Sequence, residues 1–282
     1  MPSIAEKRRA FRALHERGCF VLPNPWDIGT ARYLQHLGFK AIATTSSGAA
    51  WSLGLPDTAV GREVMLTHIA AIVAATDLPV NADFESGYAA SPAAVGESVR
   101  MCVDTGVAGL SIEDSTGDAD KPLFALDDAV ARMRAARTAI DAKDPAVMLI
   151  GRAECFLVGR TDLDETVARL NAYAAAGADC LYAPGIRTRE QIARIVEGVA
   201  PKPVNVLVGG ALGLTVKDLA ELGVRRISLG GALARAAWGG FMRAARAIAE
   251  SGSFDTLADA VSFAELNGLF RDDLERRRAS SG

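Results

Sequence analysis

The chain has 282 residues, half of them hydrophobic, and a formal net charge of −3 with both signs spread along the sequence. This length predicts one large domain or two small ones, and the weak charge excludes the basic field of a nucleic-acid or membrane-surface binder. No apolar run approaches the roughly 20 residues that span a bilayer, and the charged first residues lack the apolar segment of a secretory signal. The four cysteines show no zinc spacing, so we expect a reducing, cytoplasmic setting.

Short apolar segments alternate with amphipathic ones along the whole chain, a pattern that predicts parallel strands connected by helices. The predicted strands lie at 20–23, 41–45, 79–83, 109–113, 147–152, 180–183, 203–208 and 226–229. Helices are expected between them, for example at 62–75 and 164–176. Four connections carry a glycine where a helix needs the residue after its C-cap, at positions 38, 106, 177 and 223.

Eight such units predict a single α/β domain, a (β/α)₈ TIM barrel, with a doubly wound sheet as the structural alternative. We assign the whole chain, 1–282, to this domain, with the barrel at about 18–250. A helix at 232–251 follows the eighth strand, and a helical extension at about 254–276 follows that helix. Because this extension exceeds what a minimal barrel needs, we expect it to pack on a neighbouring subunit.

Carboxylates follow two neighbouring predicted strands at the ends where such barrels carry their active sites. Asp83 and Glu85 are two residues apart and can face one cavity, which Glu113 on the next strand can join. Three carboxylates repel one another unless a proton or a cation intervenes. Oxygen ligands without histidine or cysteine favour Mg²⁺, with Mn²⁺ also possible. Taken singly, Asp83 could instead cap a turn, and Glu113 could pair with a lysine.

Arg152 ends an otherwise apolar strand, so its guanidinium needs an anionic partner. That partner is either a substrate carboxylate or a structural pair with Glu113 or Glu154. The Ser-Ser-Gly turn at 46–48 offers N–H groups that can cradle a carboxylate, although a tight turn without a ligand explains it almost as well.

Other kinds of catalytic group are disfavoured. His15, His36 and His68 all fall in helical segments, and no lysine lies on a strand facing inward, which argues against a Schiff-base aldolase. Cys155 is predicted by alternation to point toward the helix layer, and only Lys121 could reach the site from the loop above it.

Several segments resemble, in order, the isocitrate lyase/phosphoenolpyruvate mutase family. They are SLGLPD at 52–57, D-x-E-x-G-Y at 83–88, IED at 112–114, Arg152, AYAAAGAD at 172–179, VNVL at 204–207 and GVRRISLGGALARAA at 223–237. The resemblance covers most of residues 10–245, and the combination is more specific than any single piece. It implies a Mg²⁺-dependent (β/α)₈ barrel that binds a small 2-oxo acid or dicarboxylate and assembles as a homotetramer, a dimer of dimers.

The resemblance also implies roles for single residues. Asp83 would contact the metal, whereas Glu85 and Glu113 would act through metal-bound water and Asp57 would approach the water shell. The predicted catalytic residues are Arg152, Glu113 and Asp57. The predicted substrate contacts are Ser46, Ser47, Gly48, Trp26, Arg152 and Asn205.

Three departures from the family's lyases leave the reaction open. The loop at 115–122 lacks the K-[KR]-C-G-H sequence whose cysteine is the acid of those lyases, the usual R-T-D reads Arg152-Ala153-Glu154, and Ala43 replaces a tyrosine. Activity on isocitrate and methylisocitrate should therefore be absent or marginal.

The chemistry that these features favour is stabilisation of the enolate or oxyanion of a pyruvate-like fragment. We expect cleavage of a C–C bond in an oxaloacetate-like or substituted malate-like acid by decarboxylation, hydrolysis or retro-aldol reaction. The alternatives are rearrangement or hydrolysis of a phosphonate P–C bond and a non-catalytic 2-oxo acid binding protein.

Overall fold

The computed structural model describes residues 2–279 and contains eight short parallel strands, each followed in the chain by a helix. The strands are β1 (Phe20–Leu22), β2 (Ile42–Ala43), β3 (Val80–Asp83), β4 (Gly109–Glu113), β5 (Met148–Arg152), β6 (Cys180–Tyr182), β7 (Val204–Leu207) and β8 (Arg226–Ser228). The helices are α1 (Ile4–Glu16), α2 (Ile28–His36), α3 (Ser46–Ser52), α4 (Arg62–Ala75), α5 (Pro92–Asp104), α6 (Leu126–Lys143), α7 (Leu163–Ala175), α8 (Arg189–Gly198), α9 (Val216–Glu221), α10 (Ala232–Ser251) and α11 (Phe263–Ala279).

The strands form one sheet in the order β1-β8-β7-β6-β5-β4-β3-β2, with parallel pairing throughout. The N–H of Ala43 in β2 donates a hydrogen bond of 3.0 Å to the carbonyl of Pro23, directly after β1, which brings the two ends of the sheet together. The predicted (β/α)₈ barrel is confirmed.

The local predictions agree closely with this architecture. All eight predicted strands overlap the observed ones, and the helices predicted at 62–75 and 232–251 match α4 and α10. Gly38, Gly106, Gly177 and Gly223 have φ angles of 84°, 91°, 106° and 84°. Glycine adopts this left-handed region without steric cost, so each of the four can end its helix and turn the chain into the next strand.

Helix α1 lies across the N-terminal ends of the strands. Arg8 donates to the carbonyls of Val103 and Val107 at 3.0 Å each, and Arg12 donates to the carbonyl of Ala146 at 2.9 Å. These carbonyls lie in or after the preceding helices, just before β4 and β5. Phe11, fully buried, packs into the core from the same helix. Helix α1 therefore closes the floor of the barrel, opposite to the end where the predicted site residues lie.

The barrel interior is unusually polar. Barrels of this kind are normally filled by Val, Ile and Leu. Here five polar side chains on β3, β4, β7 and β8 are buried: Asn81, Ser111, Asn205, Arg226 and Ser228. The serines at 111 and 228 fill less volume than branched apolar side chains, and both line a cavity inside the strands.

The chain divides into two compact units. Pro2–Gly231 holds all eight strands, and the second unit begins at Ala232 and includes α10 and α11. Several large apolar side chains of the second unit are exposed, among them Phe254 at 66% and Phe263 at 85%. Within residues 2–279 no helix has the length and apolar character needed to cross a bilayer.

Candidate active site

A cavity of about 170 Å³ lies inside the first unit, and all eight strands or the residues directly after them contribute to its wall. Five predicted site residues line it: Ser46, Ser47, Asp57, Asp83 and Arg152. Its volume exceeds several-fold the roughly 30 Å³ that one water molecule occupies in the liquid. The cavity is therefore the candidate active site.

Asp83, the last residue of β3, is held on both carboxylate oxygens. Oδ2 accepts hydrogen bonds of 3.0 Å from the N–H and from the hydroxyl of Ser46, at the start of α3. Oδ1 lies 3.3 Å from Nη1 of Arg152. The hydroxyl of Ser46 also lies 3.3 Å from Oδ1 of Asp57, so this one hydroxyl group is within hydrogen-bonding distance of both carboxylates. The carboxylate of Asp83 is thereby fixed at the cavity wall.

Arg152 joins three carboxylates into what we call the rim cluster, comprising Asp83, Glu113, Arg152 and Glu154. Its Nη1 lies 3.1 Å from Oε2 of Glu113 as well as near Asp83, and its Nε donates to Oε1 of Glu154. The guanidinium also lies 5.1 Å from the centre of the Tyr182 ring. The predicted alternative of a structural pair with Glu113 or Glu154 thus describes the contacts of Arg152 in this structure.

Electrostatics in the rim cluster follow from three acids sharing one cation. Burial raises the pKa of Glu113 well above its usual range, and Arg152 offsets this only in part. Burial also raises the pKa of Glu154. Burial alone would lower the pKa of Arg152, but Glu113 and Glu154 raise it well above its usual value. The cluster is therefore short of positive charge and suits an additional cation.

Glu85 reaches the neighbourhood of Asp83 by a route that alternation did not predict. Strand β3 ends at Asp83, and Glu85 and Tyr88 adopt left-handed φ angles of 45° and 51°. Such conformations cost of order 1–3 kcal/mol and concentrate at functional sites. The hydroxyl of Tyr88 donates to Oε1 of Glu85 at 2.9 Å. Burial, and then the charges of Asp83 and Asp57, raise the pKa of Glu85 to about 7.

Asp57 lines the cavity although the residue is exposed overall. Partial burial of its carboxyl, and then the negative charge of Asp83, raise its pKa. A carboxyl that keeps its proton to higher pH can serve as a proton donor. This placement is compatible with the catalytic role predicted for Asp57.

Three predicted substrate contacts do not form part of the cavity wall. The N–H of Gly48 donates to Oγ1 of Thr45 at 3.3 Å, as part of the N-cap of α3. Trp26 is half-buried near the start of α2. Asn205 is fully buried and holds two residues that do line the cavity, donating to Ser228 Oγ at 2.9 Å and accepting from Arg226 Nε at 2.8 Å.

Sequence reasoning missed several residues of the cavity wall. Asn24 donates to the carbonyl of Thr44 at 2.8 Å and accepts from the N–H groups of Leu229 and Gly230 at 2.9 Å each. It ties β1, β2 and β8 together at the rim. Arg226 was missed although its signal is the same as that of Arg152, an arginine within an apolar strand.

The acids at the rim fit Mg²⁺ in chemistry. Within residues 2–279 no three His, Cys, Asp or Glu side chains form a complete metal-binding group. Mg²⁺ commonly takes only one or two protein carboxylates and keeps several waters, so an incomplete protein shell suits it. Asp83 lies at the cavity wall, and its charge acts on the nearby Glu85 and Glu113, so oxygen donors suitable for such an ion are present.

Comparison with known proteins identifies a family and relatives that cover most of the chain. The phosphoenolpyruvate phosphomutase family profile matches residues 11–249. The chain is 31% identical to oxaloacetate decarboxylase of Paraburkholderia xenovorans, over 79% of this chain and 74% of that protein. It is 30% identical to 2-methylisocitrate lyase of Escherichia coli, over 77% of this chain and 75% of that protein.

Two solved structures are similar along nearly the whole chain. A Burkholderia cenocepacia protein described as a lyase/mutase is 50% identical with a TM-score of 0.92, over 95% of this chain and 97% of that one. A phosphonopyruvate hydrolase in complex with oxalate and Mg²⁺ is 25% identical with a TM-score of 0.84, over 97% of each chain.

Proposed function

We propose a function from the family to which the chain belongs, the phosphoenolpyruvate phosphomutase family, since it is an enzyme of the isocitrate lyase/phosphoenolpyruvate mutase type. In this proposal it binds Mg²⁺ and a small 2-oxo acid, and it stabilises the enolate of that acid. The reaction is cleavage of a C–C bond in an oxaloacetate-like or substituted malate-like acid. The observation that carries this proposal is the fixed carboxylate of Asp83 on the wall of a small cavity, next to acids that share the guanidinium of Arg152.

In this proposal Asp83 would hold the metal, and Glu85 and Glu113 would hold its water shell. Bound Mg²⁺ supplies a Lewis acid that polarises the 2-oxo oxygen and offsets the charge of an enolate. The phosphonopyruvate hydrolase complex supports the assignment, since a protein of the same fold holds oxalate and Mg²⁺ together. Mn²⁺ offers the same hard-ligand chemistry.

The chain's own residues supply orientation and a proton. Ser46 fixes Oδ2 of Asp83 with two hydrogen bonds, so the carboxylate needs no rearrangement during the reaction. Preorganised groups of this kind stabilise developing charge more strongly than mobile water does. The pKa of Asp57 is raised by partial burial and by the charge of Asp83, and its place on the cavity wall suits it to protonate a carbanion.

The test is calorimetric binding of oxalate with and without Mg²⁺, alongside NMR of oxaloacetate turnover. Oxalate should bind only with the metal, and oxaloacetate should give pyruvate if decarboxylated or oxalate and acetate if hydrolysed. Asp83→Ala should abolish metal-dependent binding without unfolding the protein. Asp144→Ala is the matched control, because Asp144 pairs with Arg8 of α1 at the opposite end of the barrel.

An Asp83→Ala variant that binds Mg²⁺ and oxalate as the wild type does would place the site elsewhere. Turnover of phosphonopyruvate but of no C–C substrate would favour the phosphonate alternative. Affinity for 2-oxo acids without turnover of any candidate would favour a binding protein.

We further propose that the second unit packs against another copy of the chain in a homotetramer. The support is the set of exposed apolar side chains on α11 and just before it, including Phe254, Phe263 and Leu266. Burial of apolar surface contributes about 25 cal/mol per Å², so several such side chains stabilise an interface appreciably. Deletion of the residues after Asp255 should dissociate or aggregate the protein in size-exclusion chromatography. A soluble truncated form of unchanged oligomeric state would contradict the proposal.

A further inference from the structure

Arg226, the first residue of β8, places a guanidinium deep inside the barrel. Its exposed fraction is only 2%. Nε donates to Oδ1 of Asn205 at 2.8 Å, and Nη1 donates to Oδ1 of Asn81 at 3.4 Å. Strands β8 and β3 are not neighbours in the sheet, so the contact with Asn81 crosses the interior of the barrel. We call Arg226, Asn205 and Asn81 the floor cluster.

The floor cluster contains a cation without a counter-charge. Both partners of Arg226 are neutral amides, and across residues 2–279 no carboxylate forms an ion pair with it. The nearby His15 is neutral, because burial lowers its pKa to about 3, so it neither balances the charge of Arg226 nor adds a second cation. Burial lowers the pKa of Arg226, the opposite direction to Arg152. An arginine side chain nevertheless stays charged in proteins.

Arg226 also lines the cavity that contains Asp83 and Asp57. A buried charge without a partner is costly, whereas a buried charge that meets an anion is stabilised. The side chains of Ala43 and Ser111, also on the cavity wall, are small and leave space between rim and floor. An anionic group of a ligand held at the rim can thus extend down to Arg226.

Resting on the proposed function, we infer that Arg226 binds a second carboxylate of the substrate, so that the substrate is a dicarboxylate held between the rim cluster and the floor cluster. Arg152 is occupied by three protein carboxylates, so Arg226 is the cation that recognises this group. A planar guanidinium suits a carboxylate because it can donate two parallel hydrogen bonds. Asn205 and Asn81 position it by taking up two of its donors.

The test compares ligands that differ by one carboxylate. Malate and lactate, each as both enantiomers, are titrated calorimetrically into the full-length protein with and without Mg²⁺, and oxalate is titrated with Mg²⁺. The wild type should bind malate more tightly than lactate by about tenfold or more, as a charge-assisted hydrogen bond provides. Arg226→Gln, whose amide can still bond to the asparagines, should lose this preference and keep its affinity for oxalate.

Two further variants make the result specific. Arg226→Lys retains the charge and should retain part of the preference for malate. Arg225→Gln is the matched control, since Arg225 donates to the carbonyl of Gly18 and does not line the cavity. It should behave as the wild type does. Oxalate binding by each Arg226 variant shows that the fold and the rim are intact.

An unchanged malate preference in Arg226→Gln, or no preference in the wild type, overturns the inference. Failure of the wild type to bind oxalate with Mg²⁺ overturns the proposed function of the rim. Because different ligands report on the two ideas, their failures are distinguishable.

Discussion

The rim cluster and the floor cluster each bury an arginine that comes from a barrel strand, yet the two cations have opposite surroundings. Arg152, at the end of β5, contacts three carboxylates, whereas Arg226, at the start of β8, contacts two amides. One cluster has too little positive charge, and the other has no negative charge at all. The difference teaches that the neighbours of a buried arginine decide whether its charge is already balanced within the protein or remains to be balanced by a ligand. It is the physical basis for proposing that the rim binds a cation and that the floor binds an anion.

The largest expected effect concerns a reaction that the rim does not support. The loop from 115 to 123 folds back as a hairpin, with an antiparallel bridge between Ser115 and Leu123 and a 3.0 Å hydrogen bond from Thr116 N–H to the carbonyl of Pro122. It offers no cysteine, and Cys155 is buried beside Thr166 of α7. A missing general acid costs typically 10²–10⁴-fold in rate. Turnover of methylisocitrate should therefore be absent or marginal even with saturating Mg²⁺.

This expectation is checked by a methylisocitrate cleavage assay with the Escherichia coli lyase as positive control. A kcat above about 1 s⁻¹, within the ordinary range of enzymes, would contradict it. Such activity would mean that the rim holds an acid other than the ones identified here. Sequence identity of 30% to that lyase makes the test informative.

The next expected effect is on the free energy of unfolding, which substitution of the two arginines should lower by different amounts. Arg152→Met leaves three partly buried carboxylates without a cation, and breaking a buried ion pair in this way costs about 3–5 kcal/mol. Arg226→Met removes hydrogen bonds to neutral groups but also removes an unpaired buried charge, so a loss of at most about 1–3 kcal/mol is expected. Urea unfolding at pH 8 in EDTA, where no metal compensates for the lost cation, measures both losses. Equal losses would show that the rim carboxylates do not depend on Arg152.

The smallest expected effect is a change with pH in the free energy of unfolding, caused by Glu85 next to the rim cluster. Glu85 has an ordinary pKa of 4.5 and a pKa of about 7 in the folded chain. The native state therefore binds more protons than the unfolded state between these values, and stability falls as pH rises through that window. After allowance for partial exposure, the contribution is on the order of 1 kcal/mol. The floor contributes nothing comparable, since its arginine does not titrate near neutral pH.

Denaturant unfolding of metal-free protein at pH 5 and pH 8 checks this sign. Glu85→Gln should flatten the decline, whereas Glu63→Gln, an exposed glutamate paired with Arg62 in α4, should not. Added Mg²⁺ should oppose the decline, because a cation favours the ionised acids. A wild type that is more stable at pH 8 than at pH 5 without metal would contradict the raised pKa at the rim.

Much of the site could be predicted because strand ends converge in a barrel. The strand containing Asp83 was predicted from its apolar pattern, and barrel topology places that residue beside the ends of β4 and β5. Glu85 was placed near Asp83 by alternation, but the strand ends first and a left-handed turn positions Glu85 instead. For Arg152 the sequence left two alternatives, a substrate carboxylate or a structural pair with Glu113 or Glu154, since sequence does not show which acids reach the guanidinium.

Sequence by itself determined the alternation of strands and helices, the glycines that end the helices and the acids at the strand ends. These features are local, because hydrophobic periodicity and the conformational freedom of glycine act over a few residues. Tertiary structure alone decided that Arg152 is shared by three carboxylates, that Asn205 bonds to Arg226 and Ser228, and that Arg226 meets two amides. Within the described residues no acid pairs with Arg226. These pairings join strands far apart in the chain, and only closure of the barrel fixes which side chains meet across its interior.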